Sequence, residues 1–425
     1  MAWRCDVSAE LRTNIAVVGA GPAGLAAAHA ALAQGADVTL IDDNPSPGGQ
    51  IWRGTGLARG PNVKQARLLA STRVVAAPQA GSLLLESMNE GQVLRYRRLV
   101  VATGARERML PFPGWTLPGV TGAGGLQALV KGGLDVRGQR AVLAGSGPLL
   151  LAAAAVLQQA GAQVVLIAEQ VSAAALARFA WALRAYPDKL MQAVALRWSL
   201  RAVPYHSHAH VLEAVGDERV RGVRIQHGER IREIACDWLG VGFGLIPNTE
   251  LPQALGCDVA HGAAVVDALV HTSVAGVYAP GEACGIGGVD KAQLEGRIAG
   301  LAAAGADDAA RALVPRRAPQ LRFASLLQKH FALRPELLQT LRPDTLICRC
   351  EDVSHAQLSQ FDSSREAKLL TRCGMGACQA RMCGPICADL YGWVVDGHRP
   401  PLQPARLATL MSEPSNHDRK GVQPS

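Results

Sequence analysis

One short stretch restricts the fold more than any other. Residues 14–24 read NIAVVGAGPAG, an apolar strand that runs directly into Gly19-Ala20-Gly21-Pro22-Ala23-Gly24 and then into the Ala/Leu-rich helix LAAAHAALAQG. Each glycine answers a steric demand: Gly19 permits the tight turn, Gly21 lets backbone approach a pyrophosphate, and Gly24 allows close helix–strand packing. Pro22 and Ala23 complete the turn, and a phosphate is expected on the first N–H groups of the helix, where the dipole favours negative charge. The following strand, Asp37 to Ile41, ends in Asp42, 18 residues past Gly24, where a carboxylate is placed to accept from ribose hydroxyls. Asp43 is the one-residue alternative. A lone GxGxxG is weak evidence, but here strand, turn, helix and acid stand in order.

From Asn14 to about Leu313, β-branched runs alternate with Ala/Leu-rich helical stretches, the pattern of α/β layers around a largely parallel sheet. A second unit of the same kind begins at residue 140, RAVLAGSGPLLL, with Gly145 and Gly147 in place. Leu150 occupies the third glycine position and is expected to push helix from strand. The next strand places Ala168 where the first unit has Asp42, with Glu169 one residue later. This turn either holds a nicotinamide or other adenine nucleotide loosely or survives as scaffold; for NAD(P) the second reading is preferred, and another nucleotide stays open.

Composition narrows the class. With 49% hydrophobic and 18% charged residues the chain is neither a disordered nor a fibrous sequence. The balance of 43 Lys+Arg against 35 Asp+Glu gives +8, spread thinly rather than gathered into a stripe, so no nucleic-acid partner is expected. The longest uncharged run, Ala141 to Ala168, is broken by Gly145, Gly147 and Pro148, so no transmembrane segment is expected either. The expected location is the cytoplasm.

The ten cysteines are distributed unevenly. Cys5, Cys236, Cys257 and Cys284 are scattered, whereas Cys348, Cys350, Cys373, Cys378, Cys383 and Cys387 crowd together. In a cytoplasmic chain such a cluster reads as a metal or redox centre before a disulfide framework. Cys348-Arg-Cys350 followed by Cys378 and Cys383 offers four thiolates in two local pairs. Structural zinc usually takes C-x₂₋₄-C, so the C-x-C pair argues for iron–sulfur. Gly374 and Gly376 would let N–H groups approach cluster sulfur, and Arg349, Arg372 and Arg381 could offset its charge; Cys387 reads as a core thiol. His206, His208 and His210 alternate, so on a strand all three rings would share one face, a weak metal signal without a neighbouring acid or thiol.

The first turn resembles the FAD half of the glutathione-reductase-like flavoproteins. The resemblance extends to Pro47-Gly48-Gly49-Gln50, to Leu99–Gly104 with Thr103 before Gly104, and to the run ending Gly281-Glu282, where the family usually has Asp against the ribityl and phosphate part of FAD. Disulfide reductases of that family need a Cys pair beside the flavin, and no two of the scattered thiols lie close in sequence. ICRCEDV and CGMGACQARMCGP resemble the [2Fe–2S] domain of bacterioferritin-associated-ferredoxin type, which implies Cys348, Cys350, Cys378 and Cys383 as ligands with Cys373 in reserve. Together with ATGARERMLPFPGWTLPGV and GIGGVDKAQLEGRIAG, residues 14–390 resemble the alpha-type subunits of bacterial heteromeric amine dehydrogenases: D-hydroxyproline and dye-linked proline dehydrogenases, opine oxidases and hydrogen cyanide synthase.

The expected organisation is therefore α/β, with two Rossmann-like dinucleotide-binding domains plus a small α-rich [2Fe–2S] domain. Residues 1–110 and 243–313 would bind FAD, 111–242 form the altered NAD(P)-type domain, 314–343 a linker, 344–396 the cluster domain and 397–425 a mostly disordered tail. The resemblance implies an electron-transfer role within a complex, in which this chain takes electrons from a glycine-oxidase-like flavoprotein partner and passes them to a quinone or other acceptor. A further partner, a small ferredoxin-like subunit, is implied in the same way. So is a second possible location, at the inner membrane through the complex. Two other readings stay open: a self-contained NAD(P)H-dependent reductase, and a non-redox zinc-binding module.

Overall fold

The computed structural model describes residues 10–53, 65–393 and 399–411. Cys5 and residues 412–425 of the expected tail lie outside them. The chain divides into two compact units, one of residues 1–104, 247–320 and 397–425, the other of 105–246 and 321–396.

In the first unit β1 (Leu11–Val18) leads through the glycine turn into α1 (Pro22–Leu32) and then β2 (Val38–Ile41). β1 is central because its second half, Ile15–Val18, is apolar and buried on both faces; it pairs in parallel with β2 and with β3 (Gly91–Val101), the register aligning Val18 with Ile41 and Val101. Strands Ser82–Glu86 and Arg73–Ala76 extend the sheet beyond β3. The helix Val289–Ala303 lies on α1 at backbone contact. A Cβ at Gly296 or Gly300 would fall 2.1 Å from the carbonyl oxygen of Ala23 or Ala27, so only glycine fits that crossing.

Residues 399–411, expected within a disordered tail, are anchored here. Leu402 is buried and its N–H donates to Val75 O at 2.7 Å. Thr409 and the Arg406 N–H donate to buried Glu86 at 2.7 and 2.8 Å. Burial alone would raise the Glu86 pKa, but these donors and Arg73 outweigh it and hold the carboxyl below its ordinary range. A single buried carboxylate thus organises a segment whose composition reads as tail.

The second unit repeats the plan with β4 (Arg140–Gly145), α2 (Pro148–Gln159) and β5 (Gln163–Glu169), then adds α3 (Ala173–Ala182), α4 (Pro187–Ser199) and β6 (Trp238–Gly242). β4 lies between β5 and β6, all parallel. An antiparallel three-stranded sheet, Ala209–Gly216, Val220–His227 and Arg230–Ala235, supplies the rest. The cysteine-rich section, expected as a separate domain, shares this unit's core: Ile347, Val353, Leu358, Ile386 and Trp393 cluster with Phe112, Trp115, Val211, Ile225 and Leu239. The physical reason is size, since a stretch of about 50 residues buries too little surface alone.

Candidate functional site

The first turn is a cradle made by missing side chains. Gly19 has φ +101°, and a Cβ there would meet Ala102 O at 2.2 Å; one at Gly24 would meet Gly19 O at 1.8 Å. Gly21 caps α1 with Pro22 behind it, and Gly49 lies so near that its Cβ would be 3.0 Å from Gly21 Cα. Nothing lies within 4 Å of a Cβ built on Gly104. The space beside these backbones fits the pyrophosphate of a dinucleotide. Thr103 and Gly104 are fixed from the far side: Thr103 Oγ1 donates to Asn248 O at 2.8 Å, and Asn248 donates back to Thr103 O at 2.9 Å and to Gly104 O at 3.0 Å. Gln50 stands exposed on the short helix Gly49–Trp52.

The acids expected to meet the cofactor are largely engaged by the chain itself. Asp42 accepts from the Ala20 N–H of the turn and twice from Asn44 at 2.8 Å, while exposed Asp43 accepts from Asn44 at 2.9 Å. Glu282 accepts the Gly287 and Gly288 N–H groups at 2.9 and 2.8 Å, so both oxygens hold their own loop. Sequence reasoning missed what lies behind Gly281. Buried Lys291 donates to Gly281 O and Gly285 O at 2.8 and 2.9 Å, and buried Glu295 joins Lys291 at 2.8 Å, Arg317 at 2.7 Å and the Gly281 N–H at 2.9 Å. Burial opposes the Lys291 charge, and Cys284 with Glu295 outweighs it, whereas burial and Glu295 push the Cys284 thiol up to about 12. The signal was present as a charged pair four apart beside Gly296 and Gly300.

The second turn is arranged differently. Leu150 is buried, and Gly242 on β6 leaves room for it, since a Cβ there would be 3.3 Å from Leu150 Cδ2. The counterpart of Asp42 is Glu169 rather than Ala168, since the register pairs Gly145 with Glu169, and a β-bulge between Val164 and Leu166 inserts one residue into β5. Glu169 accepts from the Gly147 N–H at 2.7 Å and the Val171 N–H at 3.0 Å. Burial is the stronger influence and pushes its pKa up to about 7.

The crevice over Gly147 is filled by the chain. The Phe331 ring lies 3.6 Å from where a Gly147 Cβ would be and meets Phe179 edge-on at 4.8 Å. Ser146 donates to Phe331 O at 3.1 Å, and buried Gln170 donates to Ser146 and to Ala332 O at 3.0 and 2.9 Å while accepting the Arg334 N–H at 3.1 Å. These are the positions where a dinucleotide pyrophosphate would meet the turn.

Three cysteine sulfurs, Cys348, Cys373 and Cys383, are buried and lie within 4.8 Å of one another. Cys378 is hydrogen-bonded to Cys383 and Cys350, extending the pocket to five thiols. The structure thus brings the reserve residue Cys373 into the deepest group and leaves Cys350 at the exposed rim. Hydrogen bonds from Cys373 and Cys383 strongly lower the Cys348 pKa, and those from Cys383, the Met382 N–H and Cys350 bring Cys378 down to about 5. A sulfur-only set of this density fits a thiolate-bound metal centre. The loop is tightly constrained: a Cβ at Gly376 would be 2.3 Å from Cys350 Cβ, and Arg372, Gln379 and Ala380 are left-handed, a costly choice for non-glycine residues. Of the three arginines, Arg372 pairs with Glu351 at 2.8 Å, Arg381 with Gln379 at 3.1 Å, and Arg349 stacks over Trp115.

The histidines do not form one face. His206 stacks on His227, and the left-handed His208 ends the strand. Arg334 then donates to Nδ1 of His208 and His210 at 2.9 and 3.1 Å, which uses the lone pairs a metal would need.

Comparison with known proteins adds a family. Residues 13–297 match the model of the pyridine nucleotide-disulphide oxidoreductases. An opine oxidase subunit of Rhizobium meliloti is 35% identical over 93% of this chain and 97% of its own. The hydrogen cyanide synthase subunit HcnB of Pseudomonas aeruginosa is 30% identical over 88% and 91%. In fold, the L-proline dehydrogenase of P. horikoshii is similar with a TM-score of 0.66, covering 94% of this chain and 80% of that one at 19% identity.

Proposed function

Since the chain belongs to the pyridine nucleotide-disulphide oxidoreductases, and among them to the group that holds these opine oxidase and hydrogen cyanide synthase subunits, it is an oxidoreductase, and we propose that it is the electron-transfer subunit of a heteromeric amino- or imino-acid dehydrogenase. The first glycine turn holds FAD, with Gly19, Gly21, Pro22, Ala23, Gly24, Gly49, Gln50, Thr103, Gly104 and Gly281 around it and Asp42, Asp43 and Glu282 in support. The thiol pocket holds a [2Fe–2S] cluster. Its ligands come from Cys348, Cys350, Cys373, Cys378 and Cys383, with Cys348 and Cys383 in every arrangement. When bound, the flavin supplies two-electron chemistry and the cluster one-electron transfer.

The observation that carries this reading is the five-thiol pocket on a chain that keeps one open dinucleotide turn and fills the other. The filled crevice disfavours a self-contained NAD(P)H reductase, and the C-x-C pair disfavours a zinc module. A glycine-oxidase-like partner then provides the site where proline, D-hydroxyproline or an opine is oxidised, and the electrons leave for a quinone or other acceptor. Anaerobically purified protein should show flavin bands and a broad iron–sulfur shoulder. NADH should leave it oxidised, and an amino or imino acid should reduce it only after co-expression with the partner. Cys383→Ser should erase the cluster signal and keep the flavin. Turnover of any amine by the isolated chain would defeat the proposal.

A further inference from the structure

Helix α4 is built inside out. None of its 13 residues is buried, and Leu190, Ala193 and Leu196, on the side turned towards its own unit, are only half-covered. At about 100° per residue, Met191, Val194 and Trp198 line up on the opposite side. They are 68, 59 and 69% exposed, where a surface helix ordinarily presents polar residues. At the end of α3, Trp181 is 68% exposed; with Trp198 it makes up the exposed tryptophans among the described residues.

Charge is concentrated in the same place. Between residues 173 and 201 stand Arg178, Arg184, Lys189, Arg197 and Arg201 against the single acid Asp188, a local excess of four in a chain whose whole excess is +8. Arg184 lies 3.9 Å from the centre of the Trp181 ring and Arg201 5.3 Å from that of Trp198. Indole and cation are thus presented together, the pairing that suits the boundary between acyl chains and headgroups. No helix among the described residues is long and apolar enough to cross a membrane, so contact of this kind would be peripheral.

We propose that α3 and α4 form a docking face for an anionic phospholipid bilayer, with Trp181, Met191, Val194 and Trp198 entering the headgroup boundary and the exposed arginines Arg178, Arg184, Arg197 and Arg201 meeting lipid phosphates. A bilayer satisfies both halves of the patch without shape complementarity, whereas a protein partner would need an acidic rim around apolar hollows matched to each protruding side chain. The docking does not depend on the electron-transfer reading.

The test mixes the full chain with vesicles of phosphatidylcholine alone or with phosphatidylglycerol, and reads sedimentation and tryptophan emission. Binding should require phosphatidylglycerol, shift the emission to the blue, and vanish at about 1 M salt, where the screening length is about 3 Å. Met191→Ser with Trp198→Ser, and separately Arg197→Gln with Arg201→Gln, should each weaken partitioning by about tenfold or more while circular dichroism stays unchanged. Absence of binding, or binding that neither pair of substitutions reduces, overturns the proposal. So does a co-expressed complex that stays off the vesicles while its partner protects α4 from hydrogen exchange, because the face would then be a protein interface.

Discussion

At Gly24 the first turn has no side chain, and Ala102, just past the end of β3, supplies the Cβ opposite, 3.3 Å from where a Gly24 Cβ would stand; at Leu150 the second turn has a full side chain, and Gly242 opposite supplies none. Bulk is therefore exchanged between the two facing positions from one unit to the other, and the capping glycine changes with it, Gly21 at φ −76° and Gly147 at φ +92°. What separates the turns is occupancy. Beside Gly21 the first has only the backbone of Gly49, 4.0 Å from where a Cβ would stand, whereas the second has the Phe331 ring 3.6 Å from that point at Gly147, and its Gly147 N–H already serves Glu169. A changed glycine motif thus says less about lost binding than what the rest of the chain places over the turn.

The largest effect that would break this comparison is Gly24→Leu, which copies the second turn into the first without a matching loss at Ala102. The side chain would start 1.8 Å from Gly19 O, so a cost above about 4 kcal/mol and protein free of flavin are expected, read by absorbance and thermal unfolding. The reverse change is milder. Leu150→Gly should cost about 2–5 kcal/mol for the cavity and about 1 kcal/mol for helical glycine. Gly242→Ala should cost about 1–3 kcal/mol in the wild type and little beside Leu150→Gly. A double-mutant cycle with no coupling between the two sites would end the argument for exchange. Smaller again is Phe331→Ala, which removes one edge-on aromatic pair and some burial, about 1–3 kcal/mol of unfolding free energy measured by urea denaturation. Bleaching of wild-type flavin by NADH would show that the segment does not close the crevice.

How much of this was legible in the sequence follows from distance along the chain. The first turn was readable because strand, glycines, helix and acid are contiguous, and the duplication because its two glycines repeat. Glu169 was misaligned by one residue because a bulge in β5 leaves no mark on a residue count. The exchange with Gly242 and the cover by Phe331 join segments remote in sequence, so no local pattern could reveal them. The cysteine pocket stands between these cases: spacing marked its members, but only the folded loop shows that Cys373 lies deep and Cys350 at the rim.

The last test separates the turns by pH. Burial raises the Glu169 pKa to about 7, although two N–H groups favour its charged form. In the unfolded chain a glutamate titrates near about 4.3. Between these values the folded protein holds a proton that the unfolded chain releases, so this group's contribution is greatest at low pH and is lost as pH rises towards 7. The full loss is of order 3 kcal/mol. Glu169→Gln cannot ionise, and its Oε1 can still accept the Gly147 N–H. Its urea midpoint should therefore gain on that of the wild type from about pH 4.5 to 7 and run parallel above. Curves parallel throughout would mean that Glu169 binds its proton equally in the folded and the unfolded chain, so that burial does not disfavour its charge, and only Phe331 would be left to tell the turns apart.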